Sequence, residues 1–258
     1  MKEVILKRGL GIESRINVEV LPFKKEKMLF SGIQKEKIVL KPFIELELII
    51  EKNSTMDLEL IQENEGNYEE KIIVLLKKNS TVKLVYSHTS GTVLSKKNFI
   101  LEEDSKLFFE ERNYGLKTLS HSIFNLRKNS ELKVISKHIG KKQEHDSTLE
   151  VIHEKKSFAL LESRSLLKDS KALTRGIIRV LKDAAGTETE YISKNLLFGD
   201  SEANTIPELD IHNENIICKH GATIETINEE QIYYLMSRGL SKTDSIEVVT
   251  SGLFEEGV

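Results

Sequence analysis

A cysteine and a histidine two positions apart are the residues of this sequence best suited to chemistry. Cys218 is the only cysteine among the 258 residues, and His220 follows it in the stretch CKHGAT. Side chains at positions i and i+2 of a β-strand project from the same face, so an extended segment here places a thiol beside an imidazole. These groups bind soft metals, and thiolates react with sulfur compounds. The spacing predicts a site for metal or sulfur chemistry.

The thiol of Cys218 sets a limit on that chemistry. We expect the neighbouring Lys219 and His220 to lower its pKa and to favour the thiolate. One thiolate per chain is too few for a stable iron–sulfur cluster, which normally has four protein ligands. A second chain must therefore contribute ligands, or the cluster is held only briefly. A buried cysteine with a structural role is the alternative.

A second set of polar residues alternates just before this stretch. Glu208, Asp210 and His212 share one face if the segment is a strand. Glu208 is accordingly a candidate metal ligand together with Cys218 and His220, and a polar outer face is the alternative. The remaining histidines have no shared spacing, and we interpret them as ordinary surface or satisfied residues.

Composition excludes several classes of protein. The net charge of −3, with 31% charged residues of both signs, gives no basic field for nucleic acid. There is no phosphate loop, no dinucleotide fingerprint and no apolar run long enough to span a membrane. One cysteine and a short apolar N-terminus predict a cytoplasmic protein. The pairs Lys77-Lys78, Lys96-Lys97 and Lys141-Lys142 are interpreted as solvated turns.

A short turn phrase recurs along the chain. Its serines are Ser54, Ser80, Ser105, Ser130, Ser157 and Ser170, separated by 26, 25, 25, 27 and 13 residues, and most follow Asn or Asp. A period in the twenties indicates stacked supersecondary units. Alternating segments such as residues 82–86 and 44–48 read as strands with one buried face. Together they favour a mainly β chain folded as a β-solenoid, and an antiparallel sandwich or jelly roll is the alternative.

The pattern becomes helical near the C-terminus. Asn228 and Gln231 have capping-box spacing, Gly239 is placed as a C-terminal cap, and residues 241–244 begin a second helix that carries Ile246, Val249 and Leu253. We therefore divide the chain into a β core over residues 1–227 and a helical region over residues 228–258. The helices either cap the last coil or dock a partner.

The C-terminal third resembles the SufB/SufD family of iron–sulfur cluster assembly scaffolds, as a short, minimal-type member. The similar stretches are residues 163–169, 174–176, 194–197, 207–211, 218–223 and 233–239, in the family's order and spacing. The resemblance implies a right-handed parallel β-helix and a separate ABC-type ATPase, SufC, docked on the helical region. Candidate partner-binding residues there are Tyr233, Arg238, Gly239, Ile246 and Val249.

The resemblance also implies a role for the Cys-x-His stretch. It places Cys218 and His220 near the interface of paired subunits, where an iron–sulfur cluster is assembled transiently. The expectation is a scaffold that is not itself an enzyme, acting as a homodimer or as a heterodimer with a paralogue. Two alternatives stay open: a structural SufC-binding subunit without cluster chemistry, and a carbohydrate-active β-helix protein. The absence of Trp argues against the latter, because such proteins use aromatic platforms.

Overall fold

The computed structural model describes residues 2–8, 12–18, 24–42, 44–227 and 229–254, with side chains for residues 24–42, 44–227 and 229–251. The described residues form eighteen strands and two helices. The strands are β1 (Lys2–Arg8), β2 (Ile12–Val18), β3 (Lys24–Phe30), β4 (Ile33–Leu40), β5 (Ile44–Ile50), β6 (Thr55–Gln62), β7 (Asn67–Leu76), β8 (Thr81–His88), β9 (Thr92–Leu101), β10 (Lys106–Asn113), β11 (Lys117–Leu126), β12 (Glu131–Lys141), β13 (Glu144–His153), β14 (Phe158–Lys168), β15 (Lys171–Val180), β16 (Thr187–Phe198), β17 (Glu202–Ile211) and β18 (Ile216–Thr226). The helices are α1 (Glu229–Ser237) and α2 (Lys242–Phe254).

The chain winds as a parallel solenoid. From β3 onward, consecutive strands alternate between two eight-stranded sheets, one with the even strands from β4 to β18 and one with the odd strands from β3 to β17. Neighbouring strands within each sheet are parallel and belong to successive coils, as for β10 with β8 and β12. The predicted β-solenoid with a short helical region is confirmed, and the antiparallel sandwich is wrong. Among the described strands, only β1 and β2 pair in antiparallel fashion, as a two-stranded sheet that contacts β7.

The recurring turn phrase forms one corner of the solenoid. Asn53, Asn79, Asp104 and Asn129 have φ between 56° and 61°, a left-handed conformation that Asn and Asp tolerate better than most residues. Each following serine is buried, and the hydroxyls of Ser80, Ser105 and Ser130 close their turns. Ser130, for example, donates to the carbonyl oxygen of Arg127 over 2.6 Å. Because these turns stack, Asn129 also donates to Asp104 of the preceding coil over 3.1 Å. The 25-residue period is therefore the length of one coil.

The inward side chains of each coil pack on those of the next. Phe99 and Phe124 stack with ring centroids 4.7 Å apart, and Phe109 lies 4.8 Å from Phe99 across the two sheets. All three rings are fully buried. A single coil cannot enclose such rings alone, so each coil depends on its neighbours for a core.

The two helices follow the last strand. Gly239 has φ of 98° after α1, and the amide of Leu240 donates to the carbonyl oxygen of Leu235, so the predicted C-terminal cap is confirmed. Ser241 caps α2, where its hydroxyl accepts from the amide of Asp244 over 3.1 Å. Asn228 lies outside the described residues, as does the side chain of Leu253. α2 packs against α1 and touches β14.

Candidate functional site

The solenoid finishes in a coil whose inner face is left uncovered by the described residues. β17 and β18 are the last strands of their sheets, and each pairs on one side only. Their inward side chains therefore reach solvent, with Leu209 43% exposed and Ile224 49% exposed. We call this surface, formed by the inward residues of β17 and β18, the open end.

Cys218 and His220 both lie on the open end. In the register of β18 with β16, Cys218 stacks on Thr189 and His220 on Tyr191, two buried residues of the inner face. Cys218 is half-buried and packs against the core, whereas His220 is exposed. The structure thus places the thiol and the imidazole side by side, as their spacing predicts.

The environment of Cys218 differs from the sequence-based expectation. Burial raises the pKa of its thiol. Lys219 alternates to the outer face of β18, away from the thiol, so it does not favour the thiolate from within the open end. The prediction that the neighbouring basic groups lower this pKa is therefore wrong.

Glu208 lies on the opposite face from Cys218 and His220. Its carboxylate pairs with Arg175 on the outside of the odd-strand sheet, 3.2 Å away. Asp210 belongs to the same outer face, where it contacts Arg179 and His212, each over 2.7 Å. Glu208, Asp210 and His212 therefore form a polar outer face of β17 and its end, which was the alternative to a set of metal ligands. Across the described part of the chain, no three His, Cys, Asp or Glu side chains are grouped to bind a metal ion.

The candidate partner-binding residues divide into two groups. Tyr233 is 61% exposed, and the Arg238 guanidinium lies over the Tyr234 ring at 5.2 Å, so this part of α1 offers an outward surface. Ile246 instead lines an apolar hollow against β14, and Val249 faces an open groove of about 1250 Å³. That groove lies between α1 and the Ile224 portion of the open end.

Sequence reasoning missed a charged cluster inside the solenoid. Lys97 is 2% exposed, and its ammonium lies 2.9 Å from the Glu111 carboxylate and 3.8 Å from that of Glu70. The interpretation of Lys96-Lys97 as a solvated turn is therefore wrong for Lys97. The sequence contained a signal for this position. Residues 97 and 99 are two apart in one strand and share a face, so an inward Phe99 places Lys97 on the inner face as well.

Burial sets the charge of the groups around this cluster. It lowers the pKa of both His88 and His138 to about 4, so these rings are neutral at pH 7. Burial is the largest influence on the pKa of Glu111 and acts to raise it, but the neighbouring groups together, with the charge of Lys97 first among them, outweigh burial and hold that pKa at about 2. The interior therefore contains ionised carboxylate and ammonium beside neutral imidazoles.

Comparison with known proteins agrees with this architecture. The family model described as "SUF system FeS cluster assembly, SufBD core domain" matches residues 37–253. The chain belongs to this family. It is 29% identical over 193 residues to the iron-sulfur cluster assembly protein SufD of Escherichia coli (strain K12), a match covering 69% of this chain and 45% of that protein. It is 33% identical over 119 residues to SufB of Bacillus subtilis (strain 168), covering 45% of this chain and 26% of that protein.

Family membership connects the chain to the SUF system of iron–sulfur cluster assembly. The chain spans less than half the length of these two relatives. The family match favours a scaffold over a carbohydrate-active β-helix protein. In the described residues, neither helix has the length and apolar character needed to cross a lipid bilayer.

Proposed function

We propose that this chain is a scaffold on which iron–sulfur clusters are assembled at the seam between two copies. The observation that carries the proposal is the placement of Cys218 and His220 on the open end. Iron and sulfide are the cargo of this site. Cys218 supplies a thiolate that binds iron or attacks the outer sulfur of a persulfide donor, which leaves as its own thiolate, and His220 supplies an imidazole as a further iron ligand. Glu208 is no part of the site within one chain, because it faces the other side of β17.

A second copy supplies what one chain lacks. Cys218 and His220 are two ligands, whereas a cluster normally has four protein ligands. The open end exposes the apolar side chains of Leu209, Ile211 and Ile224 and the unpaired backbone edges of β17 and β18, which a second copy can cover. Pairing two open ends covers these side chains and sets Cys218 of each copy beside His220 of the other, so that the seam carries two equivalent sites. Each site has two protein ligands, fewer than the four of a stable cluster, and therefore holds its cluster only transiently. A paralogue with the same open end fits equally.

Energy for assembly comes, in this proposal, from a SufC-like ABC ATPase docked on α1 and α2. Tyr233, Arg238 and their neighbours give α1 an exposed aromatic and cationic surface, the residue types enriched at protein interfaces. Because α2 touches β14, a partner that moves the helices acts directly on the solenoid. The scaffold itself then needs no catalytic centre for ATP hydrolysis, because the ATPase supplies one.

Cluster reconstitution tests the role of Cys218. The chain, its ATPase and a sulfur donor are incubated anaerobically with ferrous iron, and cluster is followed by visible absorption and by iron and sulfide content. Cys218→Ala is expected to abolish cluster retention because it removes the thiolate. Lys219→Ala, at an exposed position on the outer face of the same strand, is the control. Wild-type cluster yield from Cys218→Ala would contradict the proposal.

The same variant separates the scaffold from a purely structural SufC-binding subunit. Arg238→Ala with Tyr233→Ala is expected to weaken ATPase binding under both readings, measured by co-purification. Only the scaffold reading predicts that Cys218→Ala keeps the ATPase bound yet loses the cluster. Unchanged ATPase binding by the helix double variant would remove the docking proposal and leave the cluster site untouched.

A further inference from the structure

An apolar groove runs between α2 and the outer face of the even-strand sheet. One part is the hollow against β14, which has a volume of about 340 Å³ and is lined by Ile139, Leu166, Phe198 and Ile246. A second part, of about 380 Å³, extends toward the start of α1 and shares Lys168, Phe198 and Ile246 with the first. We call the two parts together the α2 groove. Each part is in the size range of pockets that bind small molecules.

The strand pattern explains why this part of the outer face is apolar. Ile139 and Leu166 are neighbours in the register of β12 with β14, and Phe198 lies one coil later at the end of β16. All three point outward, because residues of the other parity, such as Leu167, occupy the inner face. α2 covers them only in part, and each stays half-buried. The described residues therefore leave an apolar strip with space above it.

Two lysines are the charged residues that line the hollow against β14. Lys141 and Lys168 are directly opposed in the register of β12 with β14, and both side chains are exposed at the strand ends. Within the described part of the chain, neither ammonium group forms an ion pair. The nearby Asp169 carboxylate instead accepts from the amide of Asp200 over 3.1 Å. The edge of the hollow therefore carries two positive charges that the protein does not neutralise.

Other outward lysines of this chain oppose a carboxylate on the next coil. Lys106 opposes Glu131 with its ammonium 2.7 Å from the carboxylate, and Lys171 opposes Glu202 over 3.1 Å. Opposite charges at opposed strand positions stabilise a sheet, whereas like charges destabilise it. An anion between Lys141 and Lys168 would remove their repulsion.

We propose that the α2 groove binds a long-chain fatty acid, with its carboxylate between Lys141 and Lys168. The alkyl chain follows Phe198 and Ile246 toward α1. The carboxylate belongs at the lysine end, because Glu229 lines the far part of the groove. Since α2 forms one wall, a bound chain holds this helix against the solenoid. The proposal stands on the groove and its charges, and it does not depend on cluster assembly.

Isothermal titration calorimetry with dodecanoate, below its micellar concentration, tests the proposal. We expect one site per chain and a negative heat-capacity change, because apolar surface is buried. Affinity should rise about fourfold with each methylene group from octanoate to dodecanoate. Dodecyltrimethylammonium has the same tail and a cationic head, and it should bind at least about tenfold more weakly. The absence of saturable binding, or equal affinities for the two head groups, would overturn the proposal.

Paired substitutions test the two lysines. Lys141→Gln with Lys168→Gln keeps the apolar walls and should weaken dodecanoate binding by about tenfold, because both charges that hold the carboxylate are removed. Lys83→Gln with Lys133→Gln is the matched control, since these lysines also lie on the outer face of the even-strand sheet, beside Phe108. The control should bind dodecanoate as the wild-type chain does. Equal losses in the two double variants would reduce the effect to general charge attraction and overturn the proposal.

Hydrogen exchange locates the bound chain, because the open end also exposes apolar side chains. Dodecanoate should slow amide exchange in α2, whose inner side it contacts, and leave exchange in β17 unchanged. Protection of β17 in place of α2 would place the ligand at the open end and would overturn the proposal. None of these measurements involves iron or the ATPase.

Discussion

Single residues inside this solenoid differ sharply in their energetic importance from their neighbours in sequence. Lys97 is buried against Glu111 and lies over the Tyr86 ring at 4.2 Å, whereas the adjacent Lys96 is exposed. A buried carboxylate that loses its partner leaves an uncompensated charge in a medium of low polarity. The two adjacent lysines therefore contribute very differently to stability, because one side chain points into the solenoid and the other points to solvent.

Replacing Lys97 tests that difference. We expect Lys97→Met to lower the free energy of unfolding by about 3–5 kcal/mol, because Glu111 stays buried without its cation. Lys96→Met, on the outer face, should change it by about 0.5 kcal/mol or less. Urea unfolding of the two variants measures both values. Equal losses would mean that Lys97 is not held in the interior.

The sequence predicted the placement of some individual residues and not of others. The i, i+2 spacing of Cys218 and His220 placed both on one face, because strand geometry alone decides that. Glu208 has the opposite parity to the inward Leu209, but the sequence did not reveal which parity faced inward. The burial of Lys97 was missed because a charged residue was taken to be exposed, although the alternation of the strand placed it on the inner face. The pKa of Cys218 depends on burial, which composition does not encode.

Among the elements, the stacked corner turns are the part that the sequence specifies most fully. The residue before each serine has a positive φ, and four of the serines donate to the carbonyl oxygen three residues earlier, namely Ser80, Ser105, Ser130 and Ser157. Because these turns recur at regular spacing, the length of one coil could be predicted from the sequence. The antiparallel pairing of β1 with β2 was not foreseen, because its alternation resembles that of the solenoid strands.

A pair of substitutions at one corner tests the backbone argument. Asn129 has φ of 56°. Asn129→Gly and Asn129→Ala both remove the side-chain bond to Asp104, but only alanine adds strain in the left-handed region. We expect the alanine variant to be less stable than the glycine variant by about 1 kcal/mol, compared by thermal unfolding. An alanine variant at least as stable as the glycine variant would contradict a left-handed turn.

For the molecule as a whole, the buried histidines make stability depend on pH. The pKa of His138 is about 4 in the native chain, against an ordinary value of 6.5. Between these values the unfolded chain binds a proton that the folded chain does not, so stability is present above pH 6.5 and is lost as pH falls toward 4. Glu111, with its pKa held at about 2, adds a loss in the same direction at lower pH.

The expected size of the effect is roughly 3 kcal/mol for each fully buried histidine. Urea unfolding between pH 7.5 and pH 4 measures it. His138→Gln should flatten the slope, because it removes the buried ring whose pKa is lowered. A slope that His138→Gln does not alter would show that this ring has the same pKa in the folded and the unfolded chain.

At the same scale, the proposed function depends on a site shared by two copies. In a symmetric pair, Cys218 of one copy serves with His220 of the other, and the reciprocal combination forms a second site. Cys218→Ala and His220→Ala chains each destroy both sites when paired with themselves. A mixed pair of one Cys218→Ala chain and one His220→Ala chain retains one intact site.

The most direct measurement is the iron and sulfide content of that mixed pair. The two variants carry different affinity tags, are produced together, and are purified anaerobically with the ATPase through both tags. Because one of the two symmetric sites is restored, about half of the wild-type cluster content is expected, with almost none in either parent. A mixed pair as empty as its parents would contradict a site built across the seam.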